Sequence, residues 1–260
     1  MKNYTDINAA VISQWAKDGW EWGVPISTED FARAKRGDWS MVLTPQIPVP
    51  HEWFAPHLQG GRMDGIALLG LASGGGQQMP IFAALGADCT VLDYSPAQLD
   101  SERMVAAREG YEINIVRADM TKPLPFSDES FDIIFHPVSN CYIEDVHHVW
   151  RECKRVLKAG GVLLSGLDNG INYIFDFDEN APLRVANKLP FNPLKDPKLY
   201  KICIEGDWGI QFSHTIEEQL GGQLQAGLVL THLYEDRDDL PGIGEYYPQY
   251  IATRAVKPPQ

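Results

Sequence analysis

Basic residues are scarce in this chain. Over 260 residues, 22 Lys and Arg stand against 35 Asp and Glu, a formal net charge of −13. Docking onto a polyanion needs a dense Lys/Arg surface, and Arg33, Lys35 and Arg36 make the only short basic cluster, so a nucleic-acid partner is not expected. Cysteine is sparse too. Cys89, Cys141, Cys153 and Cys203 lie far apart with no C-x-x-C among them, which gives no support to a disulfide framework or a structural zinc site; no metal centre is expected. No apolar run approaches the roughly 18 residues of a membrane span. The N-terminus, Met1-Lys-Asn-Tyr-Thr-Asp-Ile-Asn, lacks the apolar segment of a secretory signal. The expectation is a cytoplasmic protein with no membrane partner, and internal repeats and low-complexity tails are missing as well.

What is present is enough apolar matter for a sizeable core, 44% against 22% charged, over a length that suits one large α/β domain with or without an appendage. Residues 1–62 hold five of the seven tryptophans (Trp15, Trp20, Trp22, Trp39, Trp53) and the proline-rich run Thr44–His51. Short helices are expected over Ile7–Lys17 and Thr28–Lys35, the second with Thr28 as N-cap. This segment reads as an aromatic cap or lid, joined to the rest through His57–Arg62. Residues 63–260 read as the main domain. Gly65–Leu71 is a continuous apolar run, as in a strand buried on both faces. Further strands are expected at Cys89–Asp93, Ile113–Ala118, Phe131–Phe135 and Val162–Ser165. The intervening helices are Gly76–Leu85, Pro96–Arg108 (Ser95 as N-cap, Gly110 as stop) and amphipathic Asp145–Leu157, broken by Ala159-Gly160-Gly161. The long irregular stretch 166–213 has the size of a functional insertion, lid-like in character. His214–Gly221 is a helix candidate, and Gly227–Tyr234 with Gln249–Val256 should pair antiparallel at the sheet edge. The fold class is therefore α/β: a Rossmann-like doubly wound sheet, mostly parallel, with an antiparallel C-terminal edge hairpin and an aromatic N-terminal cap.

Such a sheet binds ligands at the carboxyl ends of its strands. At those ends stand Gly74–Gly76, whose missing side chains admit a close ligand, and Asp93, about 20 residues on, where a ribose would present its hydroxyls. Asp119 follows the third strand, placed to accept from an adenine amino group, with Tyr94 and Met120 as an aromatic and a polarisable face for the base. Singly, each has a plainer role: punctuation for the glycines, a helix cap for Asp93, a turn residue for Asp119. Together they point to a nucleoside cofactor.

The segment from Ile66 to Val162 resembles a class I S-adenosylmethionine-dependent methyltransferase of the small-molecule group, with a methyltransferase-11-like domain. The residues that carry the likeness are Ala72-Ser-Gly-Gly-Gly76, Asp93 in Val-Leu-Asp-Tyr-Ser, Arg117-Ala-Asp119-Met, Phe126-Ser-Asp-Glu-Ser-Phe-Asp132-Ile-Ile-Phe and Arg151-Glu-Cys-Lys-Arg-Val-Leu-Lys-Ala-Gly-Gly161. Gly70 and Ala72 depart from it, standing where an acidic residue and a glycine are usual. The resemblance implies S-adenosylmethionine as cofactor and S-adenosylhomocysteine as product. It implies that Ala72, Ser73 and Gly74 line the methionine moiety, Asp93 the ribose, Asp119 and Met120 the adenine, and that His136 lies near the sulfonium.

Methyl transfer from a sulfonium is an in-line displacement in which alignment accounts for roughly 7–11 kcal/mol of the barrier, and the cofactor supplies the reactive group. Should the acceptor arrive protonated, His136 is the first candidate for a general base and Tyr142, on the same loop, a second; packing is the alternative role for both. Trp20, Trp22 and Trp39 are candidates for the substrate wall, again against a core role. A nicotinamide-dependent oxidoreductase is the rival enzyme class, but G-x-G-x-x-G needs a glycine at position 79, where Met79 stands. A non-catalytic cofactor-binding protein is the other alternative. The acceptor, the methylated atom and the oligomeric state have no signature in the sequence.

Overall fold

The computed structural model describes residues 3–177, 182–239 and 242–259. Among these residues seven strands form one sheet in the order β3-β2-β1-β4-β5-β7-β6. β1 (Ala67–Leu71), β2 (Asp88–Asp93), β3 (Asn114–Arg117), β4 (Phe131–His136) and β5 (Leu157–Asp168) run parallel, whereas β6 (Val229–Asp236) and β7 (Tyr250–Val256) close the edge antiparallel. This is the expected doubly wound arrangement, with the order reversing between β1 and β4. The crevice of such a sheet opens at that reversal.

Local chemistry explains most of the helices. Among the described residues, seven α-helices accompany the sheet: α1 (Tyr4–Lys17), α2 (Thr28–Lys35), α3 (Gln78–Ala84), α4 (Pro96–Glu109), α5 (Val146–Val156), α6 (Pro197–Glu205) and α7 (Gly222–Gln225). α4 starts as anticipated, with the Ser95 hydroxyl accepting from Gln98 N and Pro96 in the first turn; it stops at Gly110, whose φ of 71° is left-handed. α5 lays Val146, Val149, Trp150, Cys153 and Val156 on its buried face. α2 is capped by Ser27 rather than Thr28. The Ser27 hydroxyl accepts from Asp30 N while the Asp30 carboxylate reaches back to Ser27 N, a capping box, and the Thr28 hydroxyl instead donates to Glu109.

Two elements depart from expectation. β5 spans 12 residues, starting at Leu157 and running past Ser165 to Asp168. Leu157 already pairs with Phe131, and the Ala159-Gly160-Gly161 segment is absorbed as an irregularity between Phe131 and Ile133 rather than as a break before the strand. The helix expected over His214–Gly221 is present but shifted and partly of π form: the π-helical Glu217–Gly221 continues into α7. The Trp150 indole donates to Glu218 O at 3.0 Å, and its ring occupies the space beside Gly222.

The N-terminal segment is not a separate layer. Phe31, Trp39, Met41, Leu43, Trp53 and Phe54 share one buried apolar cluster with Leu68, Phe82, Ile133 and Phe135 of the main domain. From β7, the buried Arg254 guanidinium donates to Trp53 O (2.7 Å) and Ala55 O (2.6 Å). The insertion has a cluster of its own, Tyr173, Phe191, Cys203, Ile210 and Phe212 with Cys141; its residues 178–181 lie outside the described ones. Asn8 of α1 ties it down, donating to Tyr142 O (3.1 Å) and Ile210 O (2.9 Å) and accepting from Ile210 N (2.6 Å). Cap and insertion thus meet above the strand ends. Among the described residues no helix is long and apolar enough to cross a membrane.

Candidate active site

β1 delivers the chain into Ala72–Gly76, where the backbone turns with φ of 49° at Ala72, 107° at Gly75 and 71° at Gly76. Gly74 is required for a different reason: a Cβ there would lie 2.7 Å from Gln98 Cβ and 2.9 Å from Asp93 Oδ2. Gly70 likewise leaves room for the Met79 side chain, whose sulfur would stand 2.6 Å from an added Cβ. The Gly70 departure from the family pattern therefore belongs to how this turn packs. The amides of the turn are held by carboxylates. Gly74 N donates to Asp93 Oδ2 (3.1 Å) and Gly76 N to Glu102 Oε1 (2.7 Å).

Around these residues lie two cavities that share Trp20, Ala72, Gln98, Val138 and Tyr142 in their walls. The smaller, about 110 Å³, is bounded by Asp93, Tyr94, Asp119 and Met120 at the ends of β2 and β3, with α1 as its roof. Asp93 spends one bond of each oxygen on the backbone, Oδ2 with Gly74 N and Oδ1 with Ser95 N (2.8 Å). A carboxylate has about four acceptor sites, so it retains capacity for a diol, and burial raises its pKa. Asp119 Oδ1 accepts from Thr121 N at 2.9 Å. The Tyr94 hydroxyl donates to Asp6 of α1 (2.6 Å), and the Ser13 and Ser95 hydroxyls are 2.8 Å apart. These contacts fasten the roof. Gln98 Oε1 is buried without a hydrogen-bond partner on the wall between the cavities. Two strand-end carboxylates beside one cavity, Asp93 with acceptor capacity to spare, fit the hydroxyls and base of an adenosine group.

The larger cavity, about 400 Å³, opens from Ala72–Gly74 toward the insertion. Trp20 and Trp22 line it, as does Tyr142, whose desolvated hydroxyl is pushed well above its ordinary pKa. Trp39 does not join them. Its indole is buried, stacked on His51 (centroids 4.0 Å apart, planes 12° apart) and edge-on to Phe54. It lines a separate cavity beside Trp22.

His136 also departs from expectation. It is fully buried and lines neither cavity. Nδ1 sits 2.9 Å from Leu71 O and Nε2 2.8 Å from the Asn140 side-chain amide. Burial lowers its pKa, and each ring nitrogen lies within hydrogen-bond distance of a protein oxygen, so neither is turned toward the two cavities. It anchors a buried chain instead: Asn140 Nδ2 donates to Gln219 Oε1 (3.1 Å).

The larger cavity also holds residues that sequence reasoning passed over, chiefly Asp168, Tyr173 and Tyr250. Asp168 carries the same signal as Asp93, a carboxylate closing an apolar strand. It went unseen because β5 was expected to end at Ser165. Tyr250 and Tyr173 are brought in by strand pairing and by the fold of the insertion, which leave no local mark. Among the described residues, no three His, Cys, Asp or Glu side chains are grouped to hold a metal ion.

Comparison with known proteins agrees with this geometry. Residues 69–165, from within β1 to within β5, match a methyltransferase domain. The chain is 39% identical over 254 residues to the uncharacterized methyltransferase YbaJ of Bacillus subtilis (strain 168), covering 96% of this chain and 97% of that one. The S-adenosylmethionine-dependent methyltransferase from Mesorhizobium loti superposes with a TM-score of 0.58 at 18% identity, over 78% of this chain and 94% of the other. Geranyl diphosphate C-methyltransferase from Streptomyces coelicolor A3(2), solved with S-adenosyl-L-homocysteine, gives 0.53 at 17% identity over 79% and 77%. The chain belongs to the S-adenosylmethionine-dependent class I methyltransferases.

Proposed function

We propose that this methyltransferase acts on a small-molecule acceptor held in the 400 Å³ cavity, with the adenosine part of S-adenosylmethionine in the adjoining compartment. The observation that carries this reading is the shared wall. Two cavities meet at Ala72, one edged by strand-end carboxylates and one with seven aromatic side chains in its wall, so donor and acceptor would be brought end to end. In this reading Asp93 accepts from the ribose hydroxyls, and Asp119 with Met120 and Tyr94 holds the adenine. Ala72, Ser73 and Gly74 line the methionine arm. When bound, the cofactor supplies an electrophilic methyl group.

The protein's own part is alignment and exclusion of water. α1, Trp20 and Trp22 cover one side and the insertion the other, so the segments 1–62 and 166–213 act together as a cover. Tyr142, on the boundary, contributes packing and orientation rather than a base, because its hydroxyl stays protonated. A macromolecular acceptor is disfavoured by this enclosure and, for nucleic acid, by the net charge of −13.

Calorimetric titration with S-adenosylmethionine, with NADH in parallel, tests the cofactor compartment. Saturable binding of S-adenosylmethionine alone is expected. Asp93→Ala should weaken it at least about 30-fold, the value of two charge-assisted hydrogen bonds at about 1 kcal/mol each. Undiminished affinity in that variant would remove Asp93 from the ribose site.

A further inference from the structure

We propose that Asp168 and the aromatic walls around it form an acceptor subsite selecting a small organic amine in its ammonium form. This rests on the reading that the 400 Å³ cavity is the acceptor site. The polarity of that cavity is one-sided. Among the described residues lining it, Asp168 is the only one with a full charge, and none is Lys, Arg or His. Its partners are neutral: Gly170 N donates to Oδ1 (2.5 Å) and Asn172 Nδ2 to Oδ2 (3.3 Å). Tyr142, Tyr173, Tyr250, Phe177 and Trp208 supply ring surface around the same space. The Tyr173 hydroxyl is engaged by Gln211 Oε1 (2.8 Å), and the Phe177 and Trp208 rings pack against each other, centroids 4.8 Å apart.

A carboxylate desolvated without a counter-ion is unfavourable, and here burial lifts its pKa to about 6. A ligand that brings positive charge relieves that cost, and aromatic faces attract the same charge through their quadrupoles. An acceptor bearing phosphate or carboxylate meets the opposite, with no basic side chain among the described lining residues to receive it. The titratable groups facing Asp168 are Cys141 and Tyr142 from the β4–α5 connection, Tyr173 from the insertion and Tyr250 from β7, and all are raised by burial and stay protonated below pH 8. Asp168 is therefore the group in this cavity whose charge changes between pH 5 and 8.

The full-length protein is first saturated with S-adenosylhomocysteine by calorimetry, then titrated with 2-phenylethylamine, 3-phenylpropionate and 3-phenylpropan-1-ol as cationic, anionic and neutral probes of similar shape. The amine is expected to bind at least about ten-fold tighter than the other two. Its affinity should fall roughly ten-fold between pH 7.5 and 5 as the carboxylate protonates. In Asp168→Asn the preference for the amine should vanish while S-adenosylhomocysteine affinity stays within about two-fold. The pH series on the unaltered protein gives the same answer if that variant does not fold. Normal S-adenosylhomocysteine binding with equal or better affinity for the anionic or neutral probe, or with pH-independent amine binding, overturns the inference alone. Failure to bind S-adenosylhomocysteine overturns the cofactor reading and the subsite with it.

Discussion

In the proposed function strand-end carboxylates hold the cofactor, yet the acidic residues near the glycine-rich turn do different work. Asp93 keeps acceptor capacity toward the cavity. Glu102 is fully buried, with Oε1 accepting from Gly76 N and Oε2 without a partner. Burial raises its pKa to about 8 from an ordinary 4.5, against the smaller lowering effect of the Gly76 amide. The folded protein therefore retains a proton that the unfolded chain releases at about pH 4.5. The contribution to stability is complete below that pH and is lost as pH rises toward about 8. Glu102→Gln keeps the acceptor for Gly76 and removes the ionisation. Its melting temperature should exceed that of the parent at pH 8–9, by on the order of a few kcal/mol in stability, and should change less between pH 5 and 8. Parallel melting curves across that range would show that Glu102 is solvated when ionised. Asp93 was legible in sequence because a carboxylate after an apolar strand is a local pattern. The placement of His136 was not, since only the assembled fold shows the Leu71 carbonyl and Asn140 enclosing it.

Among elements, the best-read ones have their causes within a few residues: the Ser95 cap, the Gly110 stop, the apolar face of α5. The misread ones are set by a distant neighbour. β5 begins at Leu157 because Phe131 is there to pair with it, and it reaches Asp168 because Tyr250 pairs opposite. The turn into α7 takes π form where Trp150 bonds Glu218 O. At Gly222 an added Cβ would stand 2.6 Å from Trp150 Cδ1, and that indole is fully buried and cannot yield. Gly222→Ala should cost about 1–3 kcal/mol, read as a lowered midpoint in urea with unchanged slope. An unchanged midpoint would mean that the π turn shifts freely.

At the scale of the molecule, a net charge of −13 disfavours the compact state through self-repulsion. Raising NaCl from about 20 to about 300 mM shortens the Debye length several-fold and should raise the melting temperature at pH 8; a fall would show that attractive surface pairs dominate. The same excess of negative charge favours approach of a cation to the cavity. From the sequence alone came the strand–helix alternation, the antiparallel edge, the glycine-rich turn and the cofactor, which rest on short-range periodicity, on residues neighbouring in the chain and, for the cofactor, on motifs shared with a family. The tertiary structure alone decided that the N-terminal segment shares the core, that Asn8 joins it to the insertion, that His136 and Trp39 are packed away, and that Asp168 meets Tyr142, Tyr173 and Tyr250 in one cavity. Those residues lie up to a hundred positions apart and more, and a contact across such a distance is settled by how whole surfaces fit together, which leaves no pattern in any one stretch of chain.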